Sequence, residues 1–215
     1  MVASGNSGEG LIRRDASPRI GAVVLAAGGS TRLGFPKQLI LYKGEPLVRR
    51  TAKAAVEAGA KPVVVVLGAR ADTIRGALTG LDPVTAIVNR DWRNGIASSV
   101  VAGLSAVFAD PDCDAVLITL ADQPLIDAAA LKRLIAAFDN RHLIVASGYG
   151  HTIGVPAIFA RDYKEDLLQL TGDTGAGAWL RSKAKEVTRV PLAAAAAHDI
   201  DTQTDAANLI HEKPL

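Results

Sequence analysis

The chain has 215 residues, 49% of them hydrophobic and 4% aromatic, with a formal net charge of +2. That suits one globular domain with an aliphatic core, and so small a charge, without any basic run, gives no ground for nucleic acid or a membrane surface as a partner. One cysteine, Cys113, excludes an internal disulfide, and with four histidines at no ligand-like spacing it also excludes a Cys/His metal site.

Residues 1–18, "MVASGNSGEGLIRRDASP", are polar and rich in Gly and Ser. They are expected to be a flexible tail ahead of a single domain over 19–215. No signal-peptide core occurs there, and no apolar run reaches the length of a membrane span. With the lone cysteine, this points to a reducing, cytoplasmic location. From Ile20 onward, short β-branched runs alternate with helix-period stretches. Strands are predicted over 20–27, 62–68, 85–89, 115–121, 143–148, 154–160 and 187–192. Helices are predicted over 47–58, 70–79, 96–109, 127–138, 162–170, 174–185 and 203–211. Val/Ile/Leu runs without polar alternation suit strands covered on both faces. The expected fold is therefore α/β, Rossmann-like and doubly wound, with helices on both faces of a mostly parallel sheet. "SGYGHTIGVP" is too short for a crossover and predicts a hairpin, so the sheet should be mixed. In such a sheet, ligands sit beyond the carboxyl ends of the strands.

The first strand runs into "LAAGGSTRLGFPKQL". Gly28 and Gly29 let the backbone turn its N–H groups inward as a nest for phosphate, and a following helical turn would add a positive dipole end. Arg32 and Lys37 bring two full charges. The bland alternative is a tight strand-to-helix turn with solvated cations. A Walker A loop fails because Phe35 and Pro36 follow Gly34, and no G-x-G-x-x-G is present.

The stretch resembles the L-A-[AG]-G-x-S-x-R-[ML]-G-x-x-K signature of the MobA-like nucleotidyltransferases, which join a nucleoside monophosphate to an acceptor phosphate with Mg2+ and release pyrophosphate. The molybdenum cofactor cytidylyltransferase branch is the most similar. The resemblance implies the nucleotide-diphospho-sugar transferase type of fold, a triphosphate wrapped by Leu25, Ala26, Ala27, Gly28, Gly29 and Ser30, and charge offset by Arg32 and Lys37. "ADQP" resembles the family turn whose aspartate holds the metal, here Asp122, which could otherwise cap the next helix; Asp127 is the better cap for that helix. "DIDTQTD" resembles the family ending whose second acidic position, here Asp201, is another metal ligand, although Gln203 replaces the usual proline. Its bland reading is a capping cluster, with Thr202 as cap and Asp205 in the first turn. Asn89 and Ser98, in "NRDWRNGIASSV", match the segment that lines the nucleoside, although Ser98 and Ser99 also suit an ordinary Ala-rich helix. Gly154 and Pro156, with Asp173 and Gly175, match acceptor-side features, while Gly177 stands where that branch usually carries arginine.

Ala27, in place of a second glycine, should crowd a purine, so CTP is expected, although a methyl is worth only about 1–3 kcal/mol of discrimination. The expected acceptor is molybdopterin carrying molybdenum, with a molybdoenzyme or its chaperone as a protein partner. The competing readings are an NAD(P)-dependent oxidoreductase on the same fold and a non-catalytic nucleotide- or cofactor-binding protein.

Overall fold

The computed structural model describes residues 17–139 and 141–211; apart from Ser17 and Pro18, the expected tail lies outside the described residues. The elements run β1 (Ile20–Ala26), β2 (Leu41–Tyr42), β3 (Glu45–Pro46), α1 (Leu47–Glu57), β4 (Val63–Leu67), α2 (Ala71–Gly76), β5 (Val84–Val88) and α3 (Ile96–Val107). They continue through β6 (Ala115–Leu120), α4 (Ala128–Ala137), β7 (Ile144–Tyr149), β8 (Thr152–Ala160), α5 (Lys164–Leu168), α6 (Ala176–Ser182), β9 (Thr188–Pro191) and α7 (Gln203–His211).

Seven strands form one sheet in the order β5-β4-β1-β6-β8-β7-β9. β1 lies parallel to β4 and to β6, in the registers Ala22↔Val63 and Ile20↔Ala115. β8 is antiparallel to both β6 and β7, and β9 is parallel to β7. The sheet is thus mixed, and "SGYGHTIGVP" forms the expected hairpin between β7 and β8.

Alternation along β1 splits the core into two layers. Ala22 and Val24 face one side with Val65 and Leu117, under Val48 and Ala52 of α1 and Leu131 and Leu134 of α4. Val23 and Leu25 face the other with Val66 and Ile118, under Val100 and Leu104 of α3. A sheet buried on both faces needs apolar residues at every strand position, and Val63–Leu67 is buried throughout. Helix α3 comes so close to β1 that a Cβ at Gly103 would lie 2.4 Å from Val23 Cγ1.

The chain leaves β1 in one direction through β4 and β5, then returns to the other side of β1 with β6. The crevice between the carboxyl ends of β1 and β6 is therefore the switch point of the sheet.

Several expectations need correction. No α-helix follows the glycine loop: only a three-residue 3-10 turn, Lys37–Leu39, precedes the small β2–β3 hairpin. The loop therefore receives no helix dipole. Pro36, without an N–H, enters that turn in extended conformation. Two-residue strands are too short to show a period, so the hairpin escaped the sequence. The stretch 162–170 is split into a 3-10 turn, Arg161–Tyr163, and α5. Among the described residues, no helix is long and apolar enough to cross a membrane.

Candidate active site

The segment after β1 holds its shape by local hydrogen bonds. Ser30 adopts a left-handed φ of 51°, and its carbonyl accepts from the N–H groups of Leu33 and Gly34 at 3.1 and 3.2 Å. Its Oγ accepts from Lys37 N at 3.1 Å. Gln38, only 2% exposed, donates Nε2 to the carbonyls of Ala26 and Gly28, each at 2.9 Å. Two carbonyls on the inside of the bend are thus drawn toward one amide group.

Lys37 is delivered into the crevice by this bend. Its Nζ forms ion pairs with Asp122 Oδ2 and, at 2.8 Å, with Asp201 Oδ1. Both partners lie far away in sequence. Asp122 sits just past β6. It is not a helix cap; Asp127 takes that role, with Oδ1 accepting from Ala130 N at 2.8 Å. Asp201 arrives because Ile200 N donates to the Asp122 carbonyl at 3.1 Å, which ties the two segments together. The capping expected of the "DIDTQTD" cluster is carried by its neighbours. Thr202 Oγ1 accepts from Asp205 N, while Asp205 Oδ2 accepts from Thr202 N and Asp201 N, a reciprocal box at the start of α7. That leaves the Asp201 carboxylate directed at Lys37.

Burial pulls the Lys37 ammonium toward losing its proton, but Asp122 and then Asp201 outweigh it, and its pKa is raised overall. The hydrogen bond from Lys37 holds the Asp201 carboxyl below the usual range. Arg32 stands farther out, 74% exposed, with Nη2 3.7 Å from Asp201 Oδ2. At that exposure and distance the pair adds little stability, and the guanidinium is open to a ligand. Asp199 lies on the same side. Burial first and the Asp122 charge second push its pKa up to about 6. Its buried Oδ1 has no hydrogen-bond partner among the described residues.

These groups line a cleft of about 630 Å³. Its lining includes Leu25, Ala26, Ala27 and Gly28 with Lys37 and Gln38, and Asp122, Asp199 and Asp201 beside the Lys37 ammonium. Trp92, Arg93, Ile96, Ser99 and Asp173 line it as well, and the Trp92 ring lies against Gly29 of the loop. A smaller hollow of about 140 Å³ lies against Ser30, Thr31, Arg32 and Lys37.

The other sequence candidates divide. Asn89 Nδ2 donates to Ser98 Oγ and Ser99 Oγ at 2.9 and 3.0 Å. The Ser98 hydroxyl also lies 2.9 Å from the carbonyls of Asp91 and Gly95, so it braces the turn, and Ser99 rather than Ser98 faces the cleft. Asp173 reaches the cleft wall. Gly175 instead packs behind it, where a Cβ would lie 3.2 Å from Ile96. Gly154 and Pro156 sit on β8 away from the cleft lining, the Pro156 carbonyl accepting from Ser147 Oγ at 2.7 Å. Gln38, Asp199, Trp92 and Arg93 are cleft residues that sequence reasoning did not single out for the site. Gln38 had one available signal, its position directly after Lys37.

A cation-bearing loop facing paired carboxylates at the switch point of this sheet defines a nucleotidyltransferase-type α/β domain. Residues 22–188 match the family described as the MobA-like NTP transferase domain. The chain belongs to that family. It is 32% identical over 176 residues to nicotine blue oxidoreductase of Paenarthrobacter nicotinovorans, covering 77% of this chain and 83% of that protein. It is 37% identical over 123 residues to the bifunctional protein GlmU of Clavibacter sepedonicus, of which the match spans only 25%. The crystal structure of Rv0371c from Mycobacterium tuberculosis aligns with a TM-score of 0.81 at 31% identity, covering 92% of this chain and 100% of that one. The complex of Rv0371c with manganese aligns at 0.75 and 29% identity, covering 91% and 100%.

Proposed function

We propose that this nucleotidyltransferase moves CMP from CTP onto an acceptor phosphate, with molybdopterin carrying molybdenum as the first candidate acceptor. The observation that carries the reading is the convergence of Asp122 and Asp201 on the Lys37 ammonium beside the bent loop. Two carboxylates that already share one cation are a donor set suited to Mg2+, which takes one or two carboxylates and fills its remaining positions with phosphate and water. The Asp199 carboxyl beside them adds a third acidic group to the cleft lining. Asp122 and Asp201 would hold the ion, which when bound supplies charge neutralisation at the reacting phosphates. The manganese complex of Rv0371c supports a divalent metal in this family.

An acceptor phosphate is ionised at neutral pH, so no general base is needed. One of its oxygens attacks the α-phosphorus of CTP, the bond to the β-bridging oxygen breaks, and pyrophosphate leaves. Lys37 neutralises the charge developing on that leaving group, and Arg32 takes the β/γ end. The backbone of Ala27, Gly28, Gly29 and Ser30 follows the triphosphate. Leu25, Ala26, Asn89 and Ser98 shape the nucleoside end, Asn89 and Ser98 by bracing the turn that bears the cleft residues. Asp173 and Gly175 belong to the acceptor side, with Gly154 and Pro156 supporting it from β8. Residues 19–215 act as one cytoplasmic domain, and a molybdoenzyme or its chaperone would receive the product.

Nicotine blue oxidoreductase makes hydride transfer the competing reading, but hydride transfer has no use for two carboxylates gathered on a cation. Pyrophosphate release, measured across the four NTPs with Mg2+ or Mn2+ and a panel of phosphorylated acceptors, tests the proposal. CTP with one acceptor should give turnover. No pyrophosphate under any combination, together with NADPH oxidation at 340 nm, would reverse it.

A further inference from the structure

The segment that leads into α7 has two faces. His198 is extended, with φ −77° and ψ 118°, and from it the side chains alternate. Asp199 and Asp201 line the cleft, while His198 and Ile200 line a second hollow of about 420 Å³. The two hollows share no lining residue, and residues 198–201 are the partition between them.

The second hollow is mostly apolar. Pro124 and Leu125 reach it from the loop after β6, and Leu209 from α7. The 3-10 turn Ala194–Ala197 adds Ala194, Ala195 and Ala197, whose single methyl groups leave the space unfilled. One pole is polar. Asp205 turns Oδ2 to the N–H groups of Thr202 and Asp201, at 2.7 and 3.1 Å. Its Oδ1 lies 3.2 Å from His198 Nε2 and keeps a second lone pair, and the side chain is partly exposed. Among the described residues neither lysine nor arginine lines the hollow. An apolar cavity of this size with a few polar groups at one pole suits a small molecule. A carboxylate there, with no lysine or arginine beside it, favours a ligand that brings its own cation.

The partition ties this hollow to the cleft. Ile200 N donates to the Asp122 carbonyl at 3.1 Å, and Ile200 and Leu209 belong to one apolar cluster with Leu33 of the bent loop. An occupant resting on Ile200 and Leu209 and bonded to Asp205 holds in place the segment that bears Asp201.

We infer that this hollow is a second ligand site, taking a compact apolar molecule that carries an ammonium group, and that its occupation tightens nucleotide binding in the cleft. The site itself stands apart from the transfer reading above; only the coupling to CTP rests on it. A ligand that orders the partition in advance spares the nucleotide part of that cost, and the coupling is reciprocal.

Methyl-resolved NMR titration of the full chain with tryptamine tests the site, with indole-3-acetate as a probe of the same ring and opposite charge. Tryptamine should shift the Leu125, Ile200 and Leu209 methyls along one saturable curve, and bind about ten-fold or more tighter than indole-3-acetate. Ala195→Trp fills the hollow from an exposed position and should abolish those shifts. Asp205→Asn keeps one oxygen for the two N–H groups and should erase most of the preference for tryptamine. In calorimetry with Mg2+, saturating tryptamine should tighten CTP binding by about five-fold or more, and should have no such effect on Ala195→Trp. No saturable shift, shifts that survive Ala195→Trp, or equal affinity for the two probes overturns the site. Methyl shifts that follow protein concentration instead of tryptamine assign the hollow to a second copy of the chain and overturn it as well. A CTP affinity untouched by bound tryptamine overturns the coupling. A protein that binds no NTP removes the transfer reading, while the methyl shifts still decide the site.

Discussion

Replacing Lys37 with methionine keeps an apolar stem of similar length and removes the ammonium, with its charge and its N–H donors. Asp122 and Asp201 then face each other without their shared ammonium. Two carboxylates drawn onto one ammonium repel, once it is gone, by on the order of 3–4 kcal/mol at an effective dielectric of about 20. Asp201 is 43% exposed, so solvent and salt screen much of this; about 1–2 kcal/mol should remain. In a chain of this size that lowers the melting temperature by a few degrees. The variant should therefore melt below the wild type in EDTA. Excess Mg2+ without nucleotide should restore it, and should stabilise it more than the wild type, because no ammonium competes for the two carboxylates. Thermal melts of both proteins in EDTA and in Mg2+ measure this directly. Turnover should fall on the order of 100-fold or more, since charge neutralisation at the leaving group is lost. A Lys37→Met protein that melts with the wild type in EDTA and ignores Mg2+ would refute the shared-cation arrangement and the metal assignment with it.

Asp122→Ala should cost on the order of 100-fold or more in pyrophosphate release while leaving the circular dichroism spectrum intact; retention of most activity would remove Asp122 from the reaction. Gln38→Leu strips the donors from the Ala26 and Gly28 carbonyls and should destabilise by about 2–4 kcal/mol in urea, with faster hydrogen exchange confined to residues near 28–38; an unchanged midpoint and exchange pattern would contradict the clamp. At the surface, hydrogen bonds from the N–H groups of Arg141 and His142 lower the Asp139 pKa from 3.8. A depressed carboxylate contributes stability that is complete above its unfolded pKa and disappears as pH falls through the folded one. The stability difference between wild type and Asp139→Asn should accordingly be constant near neutral pH and shrink below about pH 4; acid titration of both proteins, giving parallel curves, would argue against those bonds.

The order of strands and helices was readable because burial on both faces of a sheet writes itself as unbroken apolar runs. Val63–Leu67 and Ala115–Leu120 lie where such runs predicted them, within a residue or two at their ends. The hairpin β2–β3 was invisible, since Leu41–Tyr42 and Glu45–Pro46 are too short for any period. The bend after the glycine loop was hidden for a different reason. That bend is held by the Gln38 side chain reaching back to two carbonyls, a tertiary-like contact that no propensity encodes.

By itself the sequence determined the α/β class, the position of the bent loop after the first strand, and the residue types that carry charge there. It also named Lys37, Asp122 and Asp201 through the motifs that contain them. Only the tertiary structure decided that these three meet. Asp201 is separated from Lys37 by 164 positions and reaches it because Ile200 pairs with Asp122 across the switch point. Only the fold, too, separated Asp201 from the capping pair Thr202 and Asp205, and set Trp92 against Gly29. Chemistry resides in side chains and can be read one residue at a time. Convergence depends on how distant strands pack, and that is a property of the whole sheet.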